Sequence, residues 1–149
     1  MNKINFLIRG ESEVTLNKIA NLINEKKSFI NLNGLVYKKD NLVHINEPQK
    51  ILEDLNILSP YDYSIFDKQV FLKKYNGKVY NGADYELSRG CIYSCAYCVE
   101  TIIQKYYGFE EKSNKTGAIK NFKSYLRHKS ADIAFAEIKN LYENYGVKI

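Results

Sequence analysis

The sequence predicts a mixed α/β fold in which short strands precede helices. An apolar run over residues 4–8 has the length of a strand, and the apolar residues of segment 16–23 recur at helical spacing. Near the other end, residues 85–88 have an extended pattern and residues 134–145 again show helical spacing. Strands that alternate with helices are typical of α/β proteins, in which helices cover a sheet.

The composition is that of a globular protein with an ordinary core. Of the 149 residues, 45% are apolar, and 22 basic against 17 acidic residues give a net charge of +5. The basic residues are scattered rather than gathered into a block, so we expect a solvated surface and no nucleic-acid partner. No apolar run approaches the roughly 20 residues that cross a bilayer, and the N-terminal residues lack the pattern of a signal peptide. We therefore expect a soluble cytoplasmic protein with no membrane partner.

The first strand and helix look like one piece of a larger sheet. Ile4–Ile8 is predicted to be a buried strand, and residues 9–13 form a turn rich in groups that begin helices. The helix that follows carries one apolar stripe, formed by Leu16, Ile19, Ala20 and Ile23. A single strand and helix cannot bury both of their faces, so we expect the last βα piece of a sheet whose earlier strands lie outside this chain.

The middle of the chain is expected to be connecting structure. Residues 34–45 predict a small β-hairpin with a polar four-residue loop at residues 38–41. Ile51, Leu52 and Leu55 predict a short helix that residues 59–62 end, and Asn76-Gly77 predicts a turn. We interpret the rest of residues 34–80 as irregular linking structure.

The last part of the chain combines a strand, a loop and a capped helix. Residues 85–88 form a predicted strand that leads into a cysteine-rich segment. Residues 105–129 are poorly periodic, so we predict a loop with a broken helix there. Ser130 is suited to cap the next helix and Gly146 to end it. Residues 147–149 then predict the beginning of a second strand.

All cysteines of the chain lie in one segment of eight residues. They are Cys91, Cys95 and Cys98, with three and two residues between them. An odd number would leave one thiol over in a disulfide framework, and the cytosol disfavours disulfides. A cubane cluster of four irons prefers thiolate ligands, and three protein ligands leave one iron open to a substrate or cofactor. We therefore predict that these cysteines hold an iron-sulfur cluster.

Two other kinds of thiol site compete with the cluster. A structural zinc site needs a fourth ligand, and the candidates His44 and His128 lie far from the cysteines in sequence. A thioredoxin-like redox pair could be made from Cys95 and Cys98. We expect no well-formed helix to start after that pair, and such a site would leave Cys91 unexplained.

Residues 88–98, Ser-Arg-Gly-Cys-Ile-Tyr-Ser-Cys-Ala-Tyr-Cys, resemble the signature of the radical S-adenosylmethionine superfamily. The resemblance implies that the cysteines ligate a 4Fe-4S cluster whose open iron is chelated by S-adenosylmethionine. One-electron reduction then yields methionine and a 5′-deoxyadenosyl radical. Tyr97 matches the family position near the adenine, with ordinary packing as the alternative. We expect a structural role for Arg89 and a solvated or packing role for Glu137, and we assign no catalytic side chain.

Further segments resemble the subgroup of that superfamily that carries a cobalamin-binding domain. Residues 10–13 resemble the Gly-Glu-Gly-Glu segment of that subgroup. Residues 55–63 resemble its interdomain linker, and residues 127–146 resemble its first barrel helix. Ser12 stands where glycine is usual in the subgroup, and Ile92 stands where proline is common. Neither departure removes a ligand.

The resemblance implies that the chain is a central portion of a longer enzyme. Residues 1–30 would be the C-terminal end of a Rossmann-like cobalamin-binding domain, and residues 31–80 would be a linker. Residues 81–149 would be the N-terminal part of the radical S-adenosylmethionine core, with the first βα unit of its (β/α) barrel. Both domains would be incomplete, and we expect this chain alone to be inactive.

The implied function is radical chemistry on an unidentified small-molecule substrate. The implied cofactors are the 4Fe-4S cluster and S-adenosylmethionine, with cobalamin bound by the complete protein, and flavodoxin or ferredoxin would donate the electron. A non-catalytic iron-sulfur or zinc-binding scaffold is the alternative. Radical methylthiotransferases share the cysteine triplet but need additional N-terminal cysteines, which this chain does not have.

Overall fold

The computed structural model of this chain describes residues 5–113 and 116–148. The chain divides into two compact units. The first comprises Met1–Leu52 and Tyr93–Phe122, and the second comprises Glu53–Ile92 and Lys123–Ile149. Each unit therefore takes its residues from two separate stretches of chain. The domain boundaries predicted after residues 30 and 80 refer to the longer enzyme and stay predictions.

The first unit contains a three-stranded antiparallel sheet. Its strands are β1 (Phe6–Ile8), β2 (Leu35–Lys39) and β3 (Leu42–Ile45), and β2 pairs with both of the others. The predicted first strand is confirmed over its described part, while Ile4 lies outside the described residues. The hairpin that we predicted as a connector is part of the same sheet as β1.

The predicted burial of the first strand is wrong. Phe6 and Leu7 are both exposed, although the edge of the Phe6 ring contacts Phe29 at a centroid distance of 5.5 Å. Because β1 pairs with β2 in the antiparallel direction, it is a strand of a small meander, and small antiparallel sheets commonly leave one face in solvent.

The turn between β2 and β3 consists of Asp40 and Asn41 alone. Both residues have a positive φ, 51° and 62°, as the central residues of a type I′ turn require. Asp and Asn tolerate this left-handed conformation because their short polar side chains can form local hydrogen bonds. The predicted four-residue loop is therefore wrong, since Lys38 and Lys39 belong to β2 and pair with residues of β3.

Helix α1 (Glu13–Asn24) confirms the helical segment that the apolar spacing predicts. Ile19 is buried, whereas Leu16 on the same stripe is exposed. Thr15 is buried instead, and its hydroxyl donates a hydrogen bond to the carbonyl oxygen of Asn33 at 3.2 Å. The apolar stripe is thus only partly covered.

The loop with a broken helix predicted over residues 105–129 agrees with the structure in part. Helix α2 (Glu100–Tyr106) reaches into this stretch, and the four-residue helix α3 (Phe122–Tyr125) lies within it. The start of α2 before residue 105 was missed, although Val99, Ile102, Ile103 and Tyr106 recur at helical spacing.

The second unit begins with tight aspartate-capped turns. A 3₁₀ turn at Leu55–Ile57 lies at the end of the short helix that was predicted to begin at residue 51 and to end before Ser59. Residues 51–54 are not helical, so that prediction is wrong in type and in length. Asp54 caps this turn by accepting a hydrogen bond from the N–H two residues later, at 2.9 Å. The same contact begins the 3₁₀ turns at Tyr63–Ile65 and Lys68–Phe71.

A second hairpin lies in the stretch that we predicted to be irregular. It consists of β4 (Leu72–Tyr75) and β5 (Lys78–Asn81), which pair in the antiparallel direction. Asn76 and Gly77 form the turn, with φ angles of 47° and 71°. The predicted turn is confirmed, while the prediction of irregular structure around it is wrong.

The remaining strands of the second unit precede its long helix. Strand β6 (Ser88–Arg89) pairs antiparallel with β7 (Arg127–His128), and helix α4 (Ala131–Tyr145) follows. The Ser130 hydroxyl accepts a hydrogen bond from an N–H of the first turn at 3.4 Å, and Gly146 ends the helix with a φ of 64°. The predicted cap and stop are confirmed.

After this helix, Val147 and Lys148 are not in a strand, and Ile149 lies outside the described residues. The strand predicted at the end of the chain is therefore not seen over the part that the structure describes. Over the described ranges, no helix combines the length and the apolar character that crossing a membrane requires.

The core of the second unit is largely aromatic. Phe71, Leu141 and Val147 are buried, and Tyr63 and Tyr145 pack against them. The Phe71 ring lies 5.4 Å from the Tyr63 ring and 5.3 Å from the Tyr145 ring, measured between centroids. Aromatic side chains bury much apolar area each, so this cluster packs α4 against the segment before β4.

A buried ion pair lies beside this core. The Lys129 Nζ atom is 2.5 Å from Glu137 Oε2, and the two side chains are 2% and 7% exposed. The Tyr85 hydroxyl donates to the same oxygen at 2.6 Å, and burial together with this carboxylate raises the pKa of Tyr85 above its ordinary range. The ammonium group also lies over the Tyr61 and Tyr85 rings, at 5.0 and 5.2 Å. Glu137 is therefore an ion-pair partner rather than the solvated residue that we considered.

Replacing Lys129 by methionine would leave the Glu137 carboxylate buried without its cation. We expect the free energy of unfolding to fall by about 3 to 5 kcal/mol, as is typical when one partner of a buried pair is removed. Urea unfolding followed by circular dichroism measures this change.

The Lys139→Met variant is the matched control. Lys139 lies 3.8 Å from Glu143 in an exposed pair on the same helix, and such pairs contribute at most about 1 kcal/mol. Equal losses of stability in the two variants would contradict the role assigned to the buried pair.

Candidate metal centre

Strand β6 leads into the cysteine segment, and an ion pair holds its last residue. Arg89 Nε and Nη2 lie 2.9 and 2.8 Å from Glu86 Oε2, and the Tyr61 hydroxyl donates to the same oxygen at 3.1 Å. Burial and the neighbouring Glu86 carboxylate raise the pKa of Tyr61 above its ordinary value. Arg89 thus has the structural contacts that we expected of it.

Gly90 follows, and a larger residue does not fit there. Its φ is 92°, and a Cβ atom would lie 2.3 Å from the carbonyl oxygen of Tyr125 and 3.0 Å from its carbonyl carbon. Tyr125 is 1% exposed, so it has no room to move aside. The backbone immediately before Cys91 therefore packs directly against the backbone of Tyr125.

The two later cysteines lie in a turn of the first unit. The Cys98 N–H donates to the Cys95 carbonyl oxygen at 3.1 Å, which closes the turn. The Cys98 carbonyl in turn accepts from the hydroxyl and the N–H of Thr101, at 2.8 and 3.3 Å. Cys95 is exposed and Cys98 is half-buried, so a metal ion can reach both thiols.

Gln104 binds the residues just before this turn, and sequence reasoning missed it. The side chain is 1% exposed. Its Nε2 donates to the carbonyl oxygen of Tyr93 at 2.9 Å, and its Oε1 accepts from the hydroxyl of Ser94 at 3.2 Å. Because α2 was not predicted, Gln104 was not expected to contact the cysteine segment. The helical spacing of Val99, Ile102 and Ile103 is the signal that could have indicated this helix.

The other end of α2 contacts the turn after β1. The Tyr107 hydroxyl accepts from the Glu11 N–H at 2.8 Å, and the Tyr106 hydroxyl donates to the Arg9 carbonyl at 3.4 Å. A Cβ atom on Gly10 would lie 2.3 Å from the Tyr107 hydroxyl, so this turn needs glycine. The segment that resembles the cobalamin subgroup and the helix after the cysteines are therefore in contact within the first unit.

The predicted ligands belong to both units. Cys91 is half-buried in the second, while Cys95 and Cys98 belong to the first, and no disulfide joins the three. Three soft sulfur donors fit an iron-sulfur cluster by their chemistry. Across residues 5–113 and 116–148, no group of three or more His, Cys, Asp or Glu side chains is arranged to hold a metal ion. The assignment of these cysteines as ligands stays a prediction.

Tyr97, the predicted adenine neighbour, is 93% exposed. The alternative of ordinary packing is wrong for the described chain, because the ring is almost wholly in solvent. An exposed aromatic ring inside the cysteine turn is accessible to a planar ligand. Its role near the adenine stays a prediction.

The structure bears on both competing thiol sites. The His44 ring stacks on Tyr37 at a centroid distance of 4.9 Å, and His128 lies in β7. Neither belongs to a metal-holding group among the described residues, and the same is true of the three cysteines, so the zinc site stays an alternative. Helix α2 begins at Glu100, shortly after Cys98, and its N-cap residue Val99 provides no side-chain cap, so a helix follows the pair without a well-formed start. The unexplained Cys91 disfavours the redox pair as before.

Sequence comparison relates the chain to enzymes. It is 28% identical over 97 residues to the anaerobic magnesium-protoporphyrin IX monomethyl ester cyclase of Synechocystis sp.. The matched region covers 64% of this chain and 18% of the cyclase. It is 20% identical over 145 residues to an uncharacterized methyltransferase of Pyrococcus horikoshii. This second match covers 97% of the chain and 27% of the methyltransferase. The chain thus spans less than a third of either relative. No protein-family model matches the chain, and no solved structure is significantly similar to it.

The Gly90→Ala variant tests the close contact before Cys91. We expect it to lower the free energy of unfolding by about 2 kcal/mol more than Gly77→Ala does, which is typical of overpacking. Both glycines have a positive φ, so alanine strains the backbone at both positions, but no atom lies within 4 Å of a Cβ at Gly77. Urea unfolding of the two metal-free variants measures the difference. If the two variants lost the same stability, the contact with Tyr125 would not be tight.

Proposed function

We propose that this chain carries the cluster-binding segment of a radical S-adenosylmethionine enzyme that acts on a small molecule. The observation that carries the proposal is the spacing of Cys91, Cys95 and Cys98, which are all the cysteines of the chain. The similarity to a cyclase and to a methyltransferase supports an enzymatic role.

Each part of the segment has a role in this proposal. The three cysteines hold three irons of a 4Fe-4S cluster and leave the fourth iron to S-adenosylmethionine. When bound, the cluster supplies the electron that cleaves this cofactor to methionine and a 5′-deoxyadenosyl radical. Gly90 lets the backbone before the first ligand pack closely against Tyr125. The Cys95–Cys98 turn presents the other two ligands, and the exposed Tyr97 ring stacks on the adenine.

The rest of the enzyme belongs to the same proposal. A cobalamin-binding domain would end within residues 1–30, a linker would span residues 31–80, and the barrel would begin within residues 81–149. Flavodoxin or ferredoxin would donate the electron. The relatives are several times longer than their matched regions, which leaves room for these additional domains.

An apolar face on α4 supports a place in a larger domain. Phe135, Ile138 and Tyr142 recur at a spacing of three and four and are exposed. Ile138 and Tyr142 line, together with Ala83 and Val147, an apolar cleft of about 570 Å³. Contiguous apolar surface of this kind is usually covered by another element, and further βα units of a barrel would cover it.

Anaerobic reconstitution with iron and sulfide tests the ligands. We expect about four irons and four sulfides per wild-type chain, the content of one cubane cluster. Cys91→Ser, Cys95→Ser and Cys98→Ser should each lose most of this content, because each removes a thiolate. Ala96→Ser is the matched control, since it changes an exposed residue of the same turn and keeps all three thiols.

Bound zinc is the outcome that would overturn the proposal. One tightly held zinc per chain without sulfide would favour the zinc-binding scaffold instead. Full iron and sulfide content in all three cysteine variants would equally contradict the ligand assignment.

The Tyr97→Ala variant tests the adenine contact. We expect the reconstituted variant to bind S-adenosylmethionine about tenfold more weakly, because stacking of a base on an aromatic ring contributes about 1 to 3 kcal/mol. Tyr97→Phe should bind as the wild type does, and Tyr75→Ala is the control for an exposed tyrosine elsewhere. Anaerobic calorimetric titration measures the dissociation constants. An unchanged constant in Tyr97→Ala would remove Tyr97 from the cofactor site.

A further inference from the structure

We propose that Gln104 is a positioning residue that sets the conformation of the backbone leading to Cys95, and thereby controls how firmly the cluster is held. This inference rests on the proposed function, because it concerns the cluster that the cysteines are proposed to bind.

Burial is the first step of the argument. Gln104 is 1% exposed, although glutamine is usually a surface residue. Burying a polar amide costs free energy unless its donors and acceptors are paired. Both ends of this amide are used, Nε2 as a donor to Tyr93 and Oε1 as an acceptor from Ser94. The side chain is therefore held in one orientation.

The two hydrogen-bond partners of Gln104 directly precede the second predicted ligand in the sequence. Tyr93 and Ser94 are the residues immediately before Cys95, and they lie between the first and the second predicted ligand. The carbonyl of Tyr93 belongs to the peptide unit that joins it to Ser94. Fixing this carbonyl and the Ser94 side chain fixes the direction in which the backbone reaches Cys95.

The helix that carries Gln104 is itself fixed. Seven residues are too few for a helix to be stable alone, so α2 depends on its contacts. Thr101 binds the Cys98 carbonyl near its start, and Tyr107 binds the Glu11 N–H just beyond its end. Gln104 lies between these two anchored points, so its amide is presented to the cysteine segment from a defined position.

Replacing a residue that hydrogen-bonds next to the ligands of a metal site typically lowers the metal affinity by about 10- to 100-fold. Gln104→Leu removes both hydrogen bonds. Gln104→Glu keeps the shape of the side chain but cannot donate to the Tyr93 carbonyl. We expect both variants to release the cluster to an iron chelator about 10- to 100-fold faster than the wild type, and to change the electron paramagnetic resonance spectrum of the reduced cluster.

Three further variants separate positioning from a general loss of structure. Ser94→Ala should accelerate cluster release, whereas Ser94→Thr retains a hydroxyl and should restore slow release. Ile102→Ala is the matched control on α2, because Ile102 is exposed and contacts neither Tyr93 nor Ser94 through a hydrogen bond. It should release the cluster at the wild-type rate. Circular dichroism of the metal-free chains shows whether each variant keeps its helices.

The outcomes separate this inference from the proposed function. If the wild-type chain took up no iron and sulfide, the proposed function would fail. If it formed the cluster and the Gln104 variants released it at the wild-type rate with an unchanged spectrum, only the role of Gln104 would be wrong. Equally fast release from Ile102→Ala would also overturn that role, because the effect would then reflect the stability of α2 in general.

Discussion

The hydrogen bonds of helix α2 are the constraint on which the rest of the cysteine segment depends. This seven-residue helix would not be stable in isolation, so its contacts hold it in place. One of these contacts joins Glu11 to Tyr107, which are 96 positions apart in sequence. Another places the buried amide of Gln104 against the backbone before Cys95. The conformation of a segment of eight residues is thus maintained by groups that lie outside it.

Within the second unit, charge and close packing hold the strand that leads to Cys91. The Lys129 N–H donates to the Leu87 carbonyl at 2.9 Å, and the Lys129 ammonium pairs with Glu137 on α4. The strand that leads to Cys91 is thereby joined to the long helix. A buried charge is costly unless it is paired and hydrogen-bonded, and here Tyr85 supplies a further hydrogen bond to the carboxylate. The close approach of Gly90 to Tyr125 completes this arrangement.

Caps, stops and one turn were predicted from local patterns, and the long-range contacts were not. The cap at Ser130, the stop at Gly146 and the turn at Asn76-Gly77 follow from residues only a few positions apart, and all three are confirmed. Helix α2 was missed although Val99, Ile102 and Ile103 show helical spacing, and its seven residues are held by contacts with distant residues. The exposure of Phe6 could not be predicted either, since an apolar run does not reveal whether the sheet it joins is covered on one face or on two.

The sequence by itself determined the candidate ligands, which are Cys91, Cys95 and Cys98. The chemistry of a thiol cluster depends on residue type and on short spacing, and both can be read directly from the sequence. Only the tertiary structure decided which polar side chains are buried beside these residues. Gln104 and Glu137 look like ordinary surface residues in the sequence, yet both are buried and paired. Burial arises when segments far apart in the chain pack together, and no local pattern of residues encodes that contact.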